Sequence, residues 1–175
     1  MSTVKAAGWK DLSGRTIQTP AQIVSAQKTD PWYCSSTVWT NIPGLSVTIK
    51  PFNPRSVILV LVSVQLSGTE HGGIRLVRND VPIGAGDARG SSRVSAFDWN
   101  YGYSGANTAG YPRRQKGGHW LDSPATTSEC VYTVQYSNPY STGYYAGVNY
   151  NAYDNTNATW NARTVSTIHA IEIQQ

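Results

Sequence analysis

Two stretches of this chain carry most of the side chains able to do recognition chemistry. Trp99, Tyr101, Tyr103 and Tyr111 crowd the first, and Tyr140, Tyr144, Tyr145, Tyr150, Tyr153 and Trp160 crowd the second. Ten of the eleven tyrosines lie between Tyr101 and Tyr153, with Asn100, Asn107, Asn149, Asn151, Asn155 and Asn157 interleaved. Tyrosine offers a flat apolar face, a polar tip and little rotamer entropy to lose, while glycine, serine and asparagine add adaptable hydrogen bonds; paratopes have this composition. Sugars suit it too, because their C–H faces stack on rings and their hydroxyls bond to amides and phenols. The competing use of the same rings is to plug loops into the body of the protein or to pack between subunits, where aromatic residues are also favoured. Glycan contacts are expected at Trp99, Tyr101, Tyr103, Tyr144, Tyr145, Tyr150, Tyr153 and Trp160, with Arg113 and Arg114 placed to meet acidic sugars. Tyr132 and Tyr136 fall on a strand and read as structural.

Catalysis finds less support. His71, His119 and His169 are scattered, and neither a Gly-x-Ser-x-Gly elbow nor a His-Glu-x-x-His helix is present. Glycoside hydrolysis needs two carboxylates about 5–10 Å apart. Asp98, Asp122 and Asp154 are the acids near the aromatic stretches, and nothing in their spacing brings them together. The expectation is a protein with no catalytic residues and no cofactor. Asp154-Asn155-Thr156-Asn157 and Asp87 offer oxygens of the kind calcium accepts, but Asx-rich turns also arise for backbone reasons alone, and no metal is expected. Asn157-Ala158-Thr159 fits the glycosylation sequon, which matters only for a secreted chain.

The elements that must position these residues are strands. Ser56 to Asn79 is the organising stretch. Val57 to Val62 is apolar on both alternating faces, so both must be covered; one cover is a second sheet, and a neighbouring chain could be the other. Beyond Ser63 the period-two pattern has one polar face. Ser67 to Gly73 reads as a turn, because glycine supplies the positive φ a reversal needs, and Ile74 to Arg78 returns as the partner of a hairpin. Further strands are expected over residues 20–27, 37–42, 45–49, 93–99, 119–122, 130–136 and 165–173, with sharp turns at Asp30-Pro31 and Pro43-Gly44. Eight to ten short strands with frequent turn signals, and no persuasive 3.6-residue period, argue for an all-β antiparallel sandwich or jelly roll.

The totals agree. A chain of 175 residues makes one domain with an extension. Fourteen basic residues against ten acidic ones are too few and too scattered for a nucleic-acid stripe. No run approaches the roughly 20 apolar residues of a membrane span, and Met1 to Gly14 lacks the apolar region of a signal peptide. Cys34 and Cys130 match no zinc spacing and read as buried free thiols, although one disulfide between them stays open.

Two blocks resemble bacteriophage tail-fibre and related virion proteins, notably of cyanophages. One is Ser67-Gly68-Thr69-Glu70-His71-Gly72-Gly73-Ile74-Arg75-Leu76-Val77-Arg78 followed by Ile83 to Ser91. The other is Leu121-Asp122-Ser123-Pro124, Thr126 to Ser128, Tyr132 to Gln135 and Asn138 to Ser141. Agreement spans about Ile42 to Ile173. The resemblance implies a jelly-roll head of the C1q and tumour-necrosis-factor kind, trimeric, so that identical chains would cover the doubly apolar strand. It also implies that residues 1–33, with a candidate first strand, form an N-terminal arm docking to a tail or baseplate, and that residues 34–175 form the head. The implied protein is a homotrimeric virion component made in the host cytoplasm that binds a host-surface polysaccharide or lipopolysaccharide, without nucleic acid or membrane insertion. The alternative is a collar, decoration or adaptor protein with no receptor.

Overall fold

The structure, a computed structural model, describes residues 9–10, 13, 16–17, 20–68, 71–86, 98–101, 113–137, 146–149 and 163–174. Among these, thirteen strands and no helix are present: β1 (Trp9–Lys10), β2 (Thr16–Ile17), β3 (Gln22–Lys28), β4 (Trp32–Cys34), β5 (Thr40–Ile49), β6 (Val57–Gly68), β7 (His71–Arg78), β8 (Val81–Ile83), β9 (Asp98–Tyr101), β10 (Arg113–Asp122), β11 (Cys130–Ser137), β12 (Ala146–Val148) and β13 (Ser166–Ile173). The fold is all-β and antiparallel, as expected. β1 and β2 pair only with each other.

The remaining strands form two sheets. In the first, β6 has β10 along one edge; along the other it has β13 beside Val57 to Ser63 and then β12 beside Leu66 to Gly68. β3 flanks β13 and β4 flanks β12. Taking β3 with β4 and β13 with β12 as interrupted strands, the layer is four strands wide. The second sheet runs β5, β11, β7, with β8 and β9 sharing the far edge of β7. The pairings across both sheets are nested: β3 with β13, β5 with β11, β6 with β10, β7 with β8.

Alternation decides what lies between the layers. On β6, Ile58, Val60, Val62, Val64 and Leu66 are buried, and on β13 so are Ile168 and Ala170. From the other sheet come Ile42, Leu45, Val47, Ile49, Ile74, Leu76, Tyr132, Val134 and Tyr136. β-Branched and aromatic residues suit a pleated, half-covered surface, and each fully buried aliphatic side chain contributes about 1.5–3 kcal/mol. Both cysteines are buried and free.

Two readings need correction. β6 and β7 are not a hairpin: β6 pairs with β10, β12 and β13, whereas β7 pairs with β8, β9 and β11, so the chain crosses from one layer to the other after Gly68. Turn residues and alternation look the same whether the next strand joins its predecessor or the opposite sheet. Pro43-Gly44 is no sharp turn either, but lies inside β5. There Pro43 has no N–H for the ladder, Gly44 takes φ +82, and the register against β11 shifts between Thr133 and Gln135. The irregularity lets Ile42 and Leu45, three apart, both point into the core.

The candidate first strand is present as β3. It pairs with β13 over its whole length, so the first sheet draws on residues assigned to the arm. The short strand expected at 119–122 is the end of the ten-residue β10. Of the strand expected over 93–99, only the part from Asp98 onward lies within the described residues, in β9.

Candidate functional site

The sequence-predicted contact residues divide three ways. Trp99 and Tyr101 lie on β9, opposite Gly73 and His71 of β7, at the edge of the second sheet. Arg113 and Arg114 lie on β10, opposite Ser67 and Leu66, in the first sheet. Tyr103, Tyr144, Tyr145, Tyr150, Tyr153 and Trp160 lie outside the described residues, as do Asp87 and residues 154–157. The described backbone therefore places the two aromatic positions and the two arginines on different sheets. Lys116, two residues beyond Arg114 on the same strand, is 7 % exposed and sits opposite Val64 on the inward side of β10.

Asn149, read as one of the recognition asparagines, is buried wiring instead. Its Nδ2 donates to the Lys28 carbonyl at 2.6 Å and the Asp30 carbonyl at 3.3 Å, and Ser166 Oγ donates to its Oδ1 at 2.7 Å. Its own N–H donates to the Gln65 carbonyl, and Gln65 N–H donates to Ser166 Oγ at 2.9 Å. This cluster sits where β13 ends and β12 takes over beside β6, and it satisfies backbone groups that neither strand reaches.

Asp122 likewise has a structural role. Its Oδ2 accepts from Arg78 Nη1 and from the Tyr132 hydroxyl, both at 2.6 Å. Burial and the Asp122 hydrogen bond push the Tyr132 hydroxyl far above its usual range. Burial alone would lower the Arg78 pKa, but the bond and charge of Asp122 outweigh it and raise it. Burial raises the Cys130 thiol, so this is not the electropositive setting of a reactive cysteine. No group of three or more His, Cys, Asp or Glu able to hold a metal occurs among the described residues.

Two surfaces remain. The first is the outward face of the first sheet. Register places Ile23, Ile171, Leu59 and Leu121 in one row across four strands, with Ile173 and Val57 beside them. Ile23 is 60 % exposed and Leu121 55 %. The next row is Ser25, His169, Leu61 and His119, and the one after it Gln27, Thr167, Ser63 and Gly117. No Asp, Glu, Lys or Arg occupies an outward position in these rows. This is the doubly apolar strand anticipated from Val57 to Val62: its inner face is sealed by the second sheet, and its outer face is only half covered within one chain.

No family model matches the chain, and no curated protein matches it.

The second surface is the outward face of the second sheet, and sequence reasoning missed it. Arg75, Gln135 and Asn41 form a polar row across β7, β11 and β5. Arg75 Nε donates to Gln135 Oε1 at 2.7 Å, and Gln135 Nε2 donates to Asn41 Oδ1 at 2.7 Å. The guanidinium lies over the Trp39 ring, 4.5 Å from its centroid, a stabilising cation–π geometry. Ser46 and Thr133 bond to each other at 2.8 Å in the adjoining row. Burial lowers the Arg75 pKa. Asn41, Arg75 and Gln135 lie 34 to 94 positions apart in the chain and are joined through strand register, while Trp39 precedes Asn41 by two residues.

Proposed function

We propose that this chain is the head of a virion attachment fibre: a jelly roll that assembles as a homotrimer and binds a host-surface glycan. Its N-terminal arm would dock to the tail or baseplate. The observation that carries the reading is the row Ile23, Ile171, Leu59 and Leu121, an aliphatic strip on the outside of a sheet. Contiguous exposed apolar patches mark interaction surfaces. An uncharged patch meets a second copy of itself without like-charge repulsion, and symmetric self-association is the usual way to cover it.

The nested pairing of β3 with β13, β5 with β11, β6 with β10 and β7 with β8 supports the jelly roll. It is the order produced by rolling one long antiparallel hairpin into two sheets. Closure as three copies follows from the resemblance to trimeric heads of this kind. Trimerisation also gives the function its mechanism: three weak sites on one rigid body raise avidity by roughly 100- to 10,000-fold where the geometry allows simultaneous contact.

Binding of the purified chain to host cells or to a glycan array tests the recognition half. Adsorption should fall sharply when residues 102–112, 139–145 and 150–159 are shortened, with β9, β12 and Asn149 kept, while the oligomer persists. Unchanged adsorption by a correctly assembled trimmed protein would remove the receptor-binding reading.

A further inference from the structure

We propose that the outward face of the second sheet carries a carboxylate subsite for acidic glycans, built from Arg75, Trp39, Gln135 and Asn41. The choice of a sugar as the carrier rests on the glycan-binding reading above; the anion preference rests on the geometry of the row.

Among the described residues, Arg75 is a half-buried cation without a counter-charge. Arg78 has Asp122 at 2.6 Å and Lys28 has Asp30 at 2.7 Å. Arg75 instead has an amide oxygen and an indole face, and no carboxylate partner among the described residues. Taking a guanidinium partly out of water is unfavourable unless an anion or several acceptors replace the solvent. A ligand carboxylate would replace it with two parallel hydrogen bonds, the geometry the guanidinium fork fits best.

The row is also polarised in one direction. A guanidinium can only donate, so Gln135 must turn its oxygen toward Arg75. Its nitrogen then faces Asn41 and donates to that residue's oxygen. Both amide oxygens are thereby engaged, and the groups left over are N–H donors: the terminal nitrogens of Arg75 and the Asn41 amide. Such a row presents donors to an anion, and each amide oxygen already accepts one hydrogen bond.

The surroundings favour a saccharide over a peptide. β7, which carries Arg75, is hydrogen-bonded on both sides, by β11 and by β8 and β9, so an extended peptide cannot join that strand. Val77 and Thr133 beside Arg75 are buried, as is Gln135 within the row, so the groups presented outward are the Arg75 guanidinium and the exposed Asn41. Trp99 and Tyr101 occupy the register positions facing Gly73 and His71, next along the same sheet.

Calorimetric titration of the full-length protein with polygalacturonate oligomers of about ten sugars and with their methyl esters tests the subsite. The acid form should bind at least about ten-fold more tightly than the ester, the loss expected for a charge-assisted pair. Arg75→Lys keeps the charge but removes the fork and the Nε–H that orients Gln135. It should lose about ten-fold or more in affinity for polygalacturonate, with unchanged mass and thermal midpoint. Equal affinity for acid and ester, or wild-type affinity in a folded Arg75→Lys protein, each overturns the subsite. Neutral glycans retained on an array while polygalacturonate fails to bind would sink the subsite alone; loss of every glycan would sink the recognition reading with it.

Discussion

The Asn149 side chain and the Ser166 hydroxyl meet at 2.7 Å at the fork where β13 hands its place beside β6 to β12. Neither residue has any solvent exposure. Through Asn149 the fork is also tied to the carbonyls of Lys28 and Asp30, which is where β3 breaks before β4. Two interrupted strands are thus held in line by one amide.

Asn149 also adopts φ +59, a conformation asparagine tolerates better than most residues. Asn149→Gly should lose the amide bonds but keep the backbone, at about 1–3 kcal/mol. Asn149→Ala should cost about 1–2 kcal/mol more, because alanine must hold a left-handed conformation. Urea unfolding of both variants measures the difference. Equal stability of the two would show that the amide alone matters.

Tyr132 predicts alkaline sensitivity. Its hydroxyl is held protonated by burial and by donation to Asp122. An acid whose folded pKa lies above its unfolded value near 10 favours the folded state fully below that pH. The contribution is lost as pH rises above about 10, and Tyr136, raised by burial, acts in the same direction. Thermal midpoints from pH 8 to 11.5 should fall above pH 10, and less steeply in Tyr132→Phe, which has nothing to ionise there.

Glu172 pins the segment before β6. Buried at the end of the sandwich, it accepts from Gln22 Nε2 at 2.6 Å and from the Phe52 N–H at 2.8 Å. In Glu172→Gln one acceptor oxygen becomes a donor, leaving a partner unpaired at a cost of about 1–3 kcal/mol. Denaturant unfolding measures the loss, and faster amide exchange at Phe52 locates it.

The strands themselves were largely legible, because alternation is local. Val57 to Val62 announced a strand with two apolar faces, and Ser166 to Ile173 a closing strand. Pairing was not legible. The turn glycines after Ser67 look alike whether β7 returns beside β6 or crosses to the other layer. Gly117-Gly118 disguised the middle of β10 as a break, although Gly117 is the residue that lets the strand lie against β6: a Cβ there would collide with the Val62 carbonyl. The tyrosine-rich stretches were visible as composition, which says nothing about where they sit. The Arg75 row was invisible for the opposite reason. Trp39, Asn41, Arg75 and Gln135 are unremarkable singly, and only strand register brings them together.

Sedimentation equilibrium of the wild-type chain beside Leu59→Lys tests the central claim most directly. Leu59 lies at the middle of the aliphatic row, facing outward, so a lysine there leaves the core intact and places a charge within any interface built on that row. The wild-type mass should be three times that of the 19.0 kDa chain, and the variant should be a folded monomer. A wild-type protein that sediments as a monomer, or a Leu59→Lys protein that remains a trimer, would contradict that claim.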